Sequence, residues 1–179
     1  MPRIAPVDQA AAGGRVKEIF DGPLKGKTHN MFRSMGVSAA ALDIYLSLVS
    51  HLRRGALSVK EMEIIQLAVG ELNGCDYCMA AHTPGAQKAG LTLDQVMAAR
   101  RGDAGRMGDA KFAALLTFVL ALHEKRGHVS DADVESLRSA GYSDAALAEI
   151  IGCYALAVYT NYFNHVNQTE LDFPPAPAV

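Results

Sequence analysis

The chain has 179 residues, half of them hydrophobic and a fifth charged, ordinary values for a folded protein and enough chain for one domain with a real core. Seventeen basic against nineteen acidic residues leave a net charge of −2, and neither sign forms a long run. That balance argues against a nucleic-acid-binding surface, and the pairs Arg53-Arg54 and Arg100-Arg101 read as cations offsetting helix C-termini.

The opening MPRIAPVDQAAAGG has no apolar core of signal-peptide length, and the most apolar stretches, 112–122 and 150–159, are too short to span a bilayer. A cytoplasmic protein is expected. In that reducing setting a close cysteine pair points to catalysis or metal binding before a structural disulfide.

Strand signals are nearly absent, and the one Asn-Gly, Asn73-Gly74, has helical flanks. From Val37 to Arg54 apolar residues recur at helical spacing, including Leu42, Tyr45, Leu46, Val49 and Leu52. Ser58-Val-Lys-Glu61 is a capping-box pattern opening a helix that Asn73-Gly74 closes. A second helix is expected from about Cys75 to Ala89, stopping at Gly90, with a kink at Pro84. Thr92-Leu-Asp-Gln95 caps a short helix ending near Gly102, Asp109 one running to about Lys125, Ser130 one ending near Gly141, and Ser143 a long one towards Gln168. Ala89-Gly-Leu-Thr and Ala140-Gly-Tyr-Ser echo one another as helix-to-helix punctuation. The tail 173–179, FPPAPAV, is proline-rich and should extend or wrap. The expected fold is all-α, a compact single-domain helical bundle over 1–179 with a chemical core at about 58–90.

Residues 74–82, GCDYCMAAH, hold two of the three cysteines. On a helix, Cys75, Cys78 and His82 share one face, and both cysteines fall in the first turn, where free amides and the dipole favour a thiolate. A histidine one turn on can take a thiol proton or stabilise the anion. Glu63 lies on the line Val59–Leu67–Gly70 of the preceding, largely apolar helix, where a carboxylate wants a partner. If the two helices fold back at residues 73–74, Glu63 stands about 15 Å from the turn, His82 about 12 Å and Cys78 about 6 Å, the order Glu63–His82–Cys78 of a proton relay. Three readings stay open on the residues alone: a redox pair, three of the four ligands of a zinc site, or small core residues.

The run Glu63-x(11)-Cys75-x-x-Cys78-x(3)-His82, EIIQLAVGELNGCDYCMAAH, resembles the signature of the carboxymuconolactone decarboxylase superfamily, in its alkylhydroperoxidase D-like branch. The C-terminal NYFNHVNQTELDFP is similar to the peroxidase-related members. The resemblance implies an oxidoreductase of all-α subunits in trimers or hexamers that reduces organic hydroperoxides or hydrogen peroxide. Cys78 would be the attacking thiolate, Cys75 the resolving thiol, and His82 with Glu63 the relay. No flavin, haem or metal cofactor is implied, only an external dithiol or redox-protein reductant; no nucleic-acid or membrane partner is expected. Where the branch has a histidine between the cysteines, this chain has Tyr77, a hydrogen-bond donor that is no base near neutral pH. The alternatives are a lactone decarboxylase like the name-giving members, against which the cysteine pair counts, and a thiol–disulfide redox protein or sensor without peroxidase turnover.

Among the remaining residues, Cys153 reads as core packing, His29, His51, His123 and His128 as loop or helix-end residues, and Met31, Met35 and Met79 as core or pocket lining. Asn161, Asn164, His165 and Gln168 form a polar stripe at i, i+3, i+4 and i+7, read as solvated or subunit-facing before pocket-lining.

Overall fold

The computed structural model describes residues 1–27 and 29–179, and among them all regular structure is helical. Nine α-helices follow in order: α1 (Gly14–Asp21), α2 (Asn30–Met35), α3 (Ala39–Leu52), α4 (Val59–Leu72), α5 (Asp76–Lys88), α6 (Leu93–Arg101), α7 (Ala110–Glu124), α8 (Asp131–Ser139) and α9 (Asp144–Asn167). A 3₁₀ turn, Ala104–Arg106, joins α6 to α7.

Helix α4 is the centre because its sequence is apolar nearly all round, and such a helix must be enclosed. Ile64, Ile65, Leu67, Ala68 and Val69 are all buried, and α5, α6, α7 and α9 pack around them. Its start is the expected capping box: the Ser58 hydroxyl oxygen accepts from Glu61 N–H, and the Glu61 carboxylate accepts from Ser58 N–H at 2.7 Å. Its end turns sharply at Gly74, whose φ of +66° favours glycine, and Cys75 N–H closes the turn on the Gly70 carbonyl at 2.9 Å. A Cβ at position 70 would run into the methyl end of the Met79 side chain, which would have to shift to admit it.

The capping residues Ser58, Thr92, Asp109, Ser130 and Ser143 all serve as expected, each side chain accepting a first-turn N–H. Helix α5 runs through Pro84 as a single element, so the proline does not end it. Gly90 and Gly141, the shared punctuation of the two echoing segments, both adopt left-handed φ (+97° and +91°). The short helices α1 and α2 carry no sequence signal. Neither has a side-chain cap, and they are fixed by burying Ile19 and Phe20, and Met31, Phe32 and Met35, in the shared core.

The N-terminal segment is tied down at the C-terminus of α9. Arg3 N–H and Ile4 N–H reach Asn167, at its carbonyl and its side-chain oxygen, both at 2.8 Å. No helix of the described residues is long and apolar enough to cross a membrane.

Candidate active site

The tight turn at Gly74 makes Cys75 the N-cap of α5 rather than its first helical residue. With φ −90° and ψ 87° its side chain bends back over the helix end, where its sulfur accepts the Cys78 N–H at 3.3 Å. Cys78 sits in the first turn proper. The two are joined as a disulfide, with Cα atoms 5.3 Å apart. The expectation that Cys75, Cys78 and His82 share one face is therefore corrected. Cys78 and His82, one turn apart, line a cleft of about 360 Å³, whereas Cys75, 1% exposed, borders a different one. A cap residue has non-helical backbone and does not follow the helical face. The structure does not bring the three candidate zinc ligands together.

Helices α4 and α5 pack antiparallel about the 73–74 turn, and His82 Nδ1 meets Glu63 Oε2 at 2.8 Å. Both side chains are partly exposed in the cleft, 30% for His82 and 19% for Glu63. A carboxylate on Nδ1 fixes that nitrogen as the N–H and leaves Nε2 for proton exchange with whatever occupies the cleft.

Helix α9 supplies what the sequence reading placed elsewhere. Asn161 is fully buried and Asn164 is 4% exposed; their carboxamide N–H groups donate to the Cys78 sulfur at 3.0 and 3.5 Å. Asn73, at the C-cap of α4, donates to the Asn161 carbonyl oxygen at 2.9 Å, which sets that amide with its nitrogen towards sulfur. Only His165 and Gln168 of the expected solvated stripe are exposed. The discriminating signal was register: Ile150, Cys153, Ala157, Thr160, Asn161, Asn164 and Asn167 continue one buried line along α9.

Tyr77 does not reach the sulfurs. Its hydroxyl accepts the Met31 N–H at 3.2 Å and donates to Asp172 Oδ1 at 2.8 Å. Burial above all, with Asp172 adding, pushes the phenol far above its usual range against the opposing Met31 N–H, so it stays a neutral donor. Its structural work is to moor the segment after α9: Asp172 also accepts the Asn30 N–H at 2.7 Å, and Phe173 stacks on His29 at 4.4 Å. Both His29 and Phe173 line the cleft, and neither was singled out for it from sequence. Met31, Phe32, Tyr45, Val49, Leu52 and Leu156 make its apolar walls, and Lys27 and Arg53 stand at it as cations. Cys153 is buried in the core as expected, and burial pushes its thiol up to about 12 despite a Gln66 N–H on the sulfur, so it is inert at neutral pH.

An all-helical protein in which one helix pair sets a Cys-x-x-Cys sulfur in a cleft with a Glu–His pair is defined as a class by that arrangement. Residues 37–121, just under half of the chain and including Glu63, Cys75, Cys78 and His82, match the Carboxymuconolactone decarboxylase family. No curated protein is similar enough in sequence to match. Among solved structures the fold is that of the alkylhydroperoxidase D-like proteins. The chain is similar to an AhpD-core, peroxidase-related protein from Ralstonia eutropha JMP134 (21% identity, 96% of this chain and 92% of that one, TM-score 0.82). It is similar to a peroxidase-related protein from Silicibacter sp. TM1040 (19%, 94% and 92%, TM-score 0.77). It also resembles the debrominase Bmp8 in complex with 2,3,4-tribromopyrrole (17%, 96% and 92%, TM-score 0.78).

Proposed function

We propose that the protein is a thiol-dependent peroxidase that reduces organic hydroperoxides or hydrogen peroxide at the Cys75/Cys78 pair. One observation carries the reading: Cys78 lines the cleft that also holds the Glu63–His82 pair, with two amide N–H donors aimed at its sulfur. Those donors stabilise a thiolate, the form that attacks peroxide. In the first step Cys78 S⁻ attacks the terminal peroxide oxygen, the O–O bond breaks, and the departing alkoxide takes a proton through His82, oriented by Glu63. Cys78 becomes a sulfenic acid. The Cys75 thiol then attacks the Cys78 sulfur, the hydroxyl leaves as water, and the disulfide forms. An external dithiol or redox protein restores both thiols, so the cycle calls for no bound cofactor.

The cleft volume lies at the small end of ligand sites, and its apolar walls suit a compact hydroperoxide with an apolar body. The same chemistry without peroxide turnover would be thiol–disulfide exchange, the second reading. A lactone decarboxylase would have no use for the disulfide. The reading places the enzyme in the cytoplasm as a homo-oligomer, a trimer or hexamer, with no nucleic-acid or membrane partner.

Peroxide consumption with dithiothreitol tests it. The wild type should turn over cumene hydroperoxide, Cys78→Ser should be dead, and Cys75→Ser should oxidise once and stall as a sulfenic acid on Cys78. Sulfenic acid trapped on Cys75 in Cys78→Ser would reverse the roles. An inactive wild type that still exchanges disulfides would select the second reading.

A further inference from the structure

The two cysteines of the disulfide line different clefts, and we propose that they divide the cycle between them: oxidant meets Cys78 in the main cleft, while the dithiol reductant attacks Cys75 through the second cleft, after residues 175–179 lift from it. This rests on the thiol-redox reading above but not on peroxide being the oxidant.

The second cleft, about 450 Å³, is bordered by Cys75, Asp76 and Met79 of the α5 start and by Glu71 and Arg100 on one side, and by the extended tail on the other. The tail contributes Leu171, Pro175, Ala176, Pro177 and Val179. With it in place Cys75 is 1% exposed, too covered for a partner's thiolate to reach. The cover is lightly held. Pro174, Pro175 and Pro177 have no N–H to give, and among the described residues the hydrogen bond fastening 174–179 is Arg100 Nη1–H to the Pro177 carbonyl, at 2.6 Å. Arg100, the cation expected at a helix end, does sit in the last turn of α6, where it is buried and set by Glu71, whose carboxylate accepts its Nε–H at 2.8 Å. Asp172 and Phe173, by contrast, are moored to Tyr77, Asn30 and His29, so lifting 175–179 leaves the wall of the main cleft intact.

Leaving-group chemistry gives the direction. Attack on one sulfur of a disulfide expels the other as thiolate, and the better-stabilised thiolate leaves faster. Cys78 has the Asn161 and Asn164 N–H groups on its sulfur; Cys75 has one long backbone N–H, from Cys78. Attack is therefore favoured on Cys75. The reductant's thiolate bonds to the Cys75 sulfur, the Cys75–Cys78 bond breaks, and its electron pair stays on Cys78. The reductant's second thiol loses its proton and attacks its own mixed-disulfide sulfur, releasing Cys75, which takes a proton. Two electrons have entered the protein, and the Cys78 thiolate is back beside His82 with no rearrangement.

The test uses the full chain oxidised with diamide, so that a failure of peroxide turnover leaves it untouched. Glutathione is added for a short interval, an excess of N-ethylmaleimide over all thiols then stops the reaction and caps the freed cysteine, and the adducts are mapped by mass spectrometry. Glutathione on Cys75 and maleimide on Cys78 is expected; the reverse pattern overturns the proposal. A chain shortened by Pro175–Val179 should be reduced by dithiothreitol severalfold faster than the full chain, with its oxidation by peroxide or diamide at the full-chain rate. Unchanged reduction, or both steps accelerated together as in a loosened fold, overturns the gating role of the tail.

Discussion

At the scale of single residues, the Cys78 sulfur of α5 is met by two amides of α9, one of them aimed from the end of α4. Asn161 of α9 donates to Cys78 and is itself aimed by Asn73 of α4. A hydrogen bond to a charged acceptor is worth roughly 1.5–3 kcal/mol, and about 1.4 kcal/mol is one pH unit of thiol acidity. Asn161→Ala should therefore move the rate of Cys78 alkylation against pH upward by about one unit. An unmoved profile would mean that the amide only fills space. Glu63→Gln keeps the shape and the hydrogen bond to His82 but removes the base. Peroxide reduction at neutral pH should fall by roughly a hundredfold, the loss shrinking as pH rises and the thiol ionises unaided. A variant that melts lower yet turns over normally would leave Glu63 a structural acid.

At the scale of elements, α4 is the strut on which the site is built, and its N-terminus holds a buried acid. Glu61 is 3% exposed, closes the capping box with Ser58 and pairs with Lys111 of α7 at 3.0 Å. Burial opposes its ionisation, but the Ser58 hydroxyl and N–H and the Lys111 ammonium outweigh burial and hold the carboxyl below the ordinary value. A lowered carboxyl gives its full stabilisation above the ordinary carboxylate value and loses it as pH falls through the folded value. Glu61→Gln should cost about 1–3 kcal/mol at neutral pH, and thermal melts should show the gap to wild type closing on acidification. A gap independent of pH would show that the carboxylate charge is irrelevant there.

At the scale of the molecule, apolar side chains remain uncovered on one side of α9. Ile151, Tyr162 and Val166 are each more than half exposed, with Ala155 between them on the same line. Beyond the isolated apolar groups any surface carries, a stripe along a long helix marks a face for a partner, and a second copy of the chain fits the proposed assembly. Light scattering at micromolar concentration should give a trimer or a multiple of it, and Tyr162→Glu together with Val166→Glu should shift the mass downward. A monomeric wild type would refute the assembly.

The helices with strong signals were readable from the chain because their determinants are local: a capping serine, threonine or aspartate at one end, a glycine at the other, and an apolar period between. The helices α1 and α2 were not readable, because only burial of Phe20, Phe32 and Met35 against distant residues fixes them. The motif Glu63, Cys75, Cys78 and His82 was legible as a set, and the Gly74 turn implied the antiparallel pair that brings Glu63 to His82. What the chain could not say was which way each side chain faces. A one-residue displacement of the helix start moved Cys75 off the Cys78 face, and the register of α9, set by packing on α3 and α4, turned Asn161 and Asn164 from a presumed wet stripe onto sulfur. Local sequence determines which helices form and where they end; the side on which a cap residue or a buried amide falls is decided only when neighbouring helices close around it.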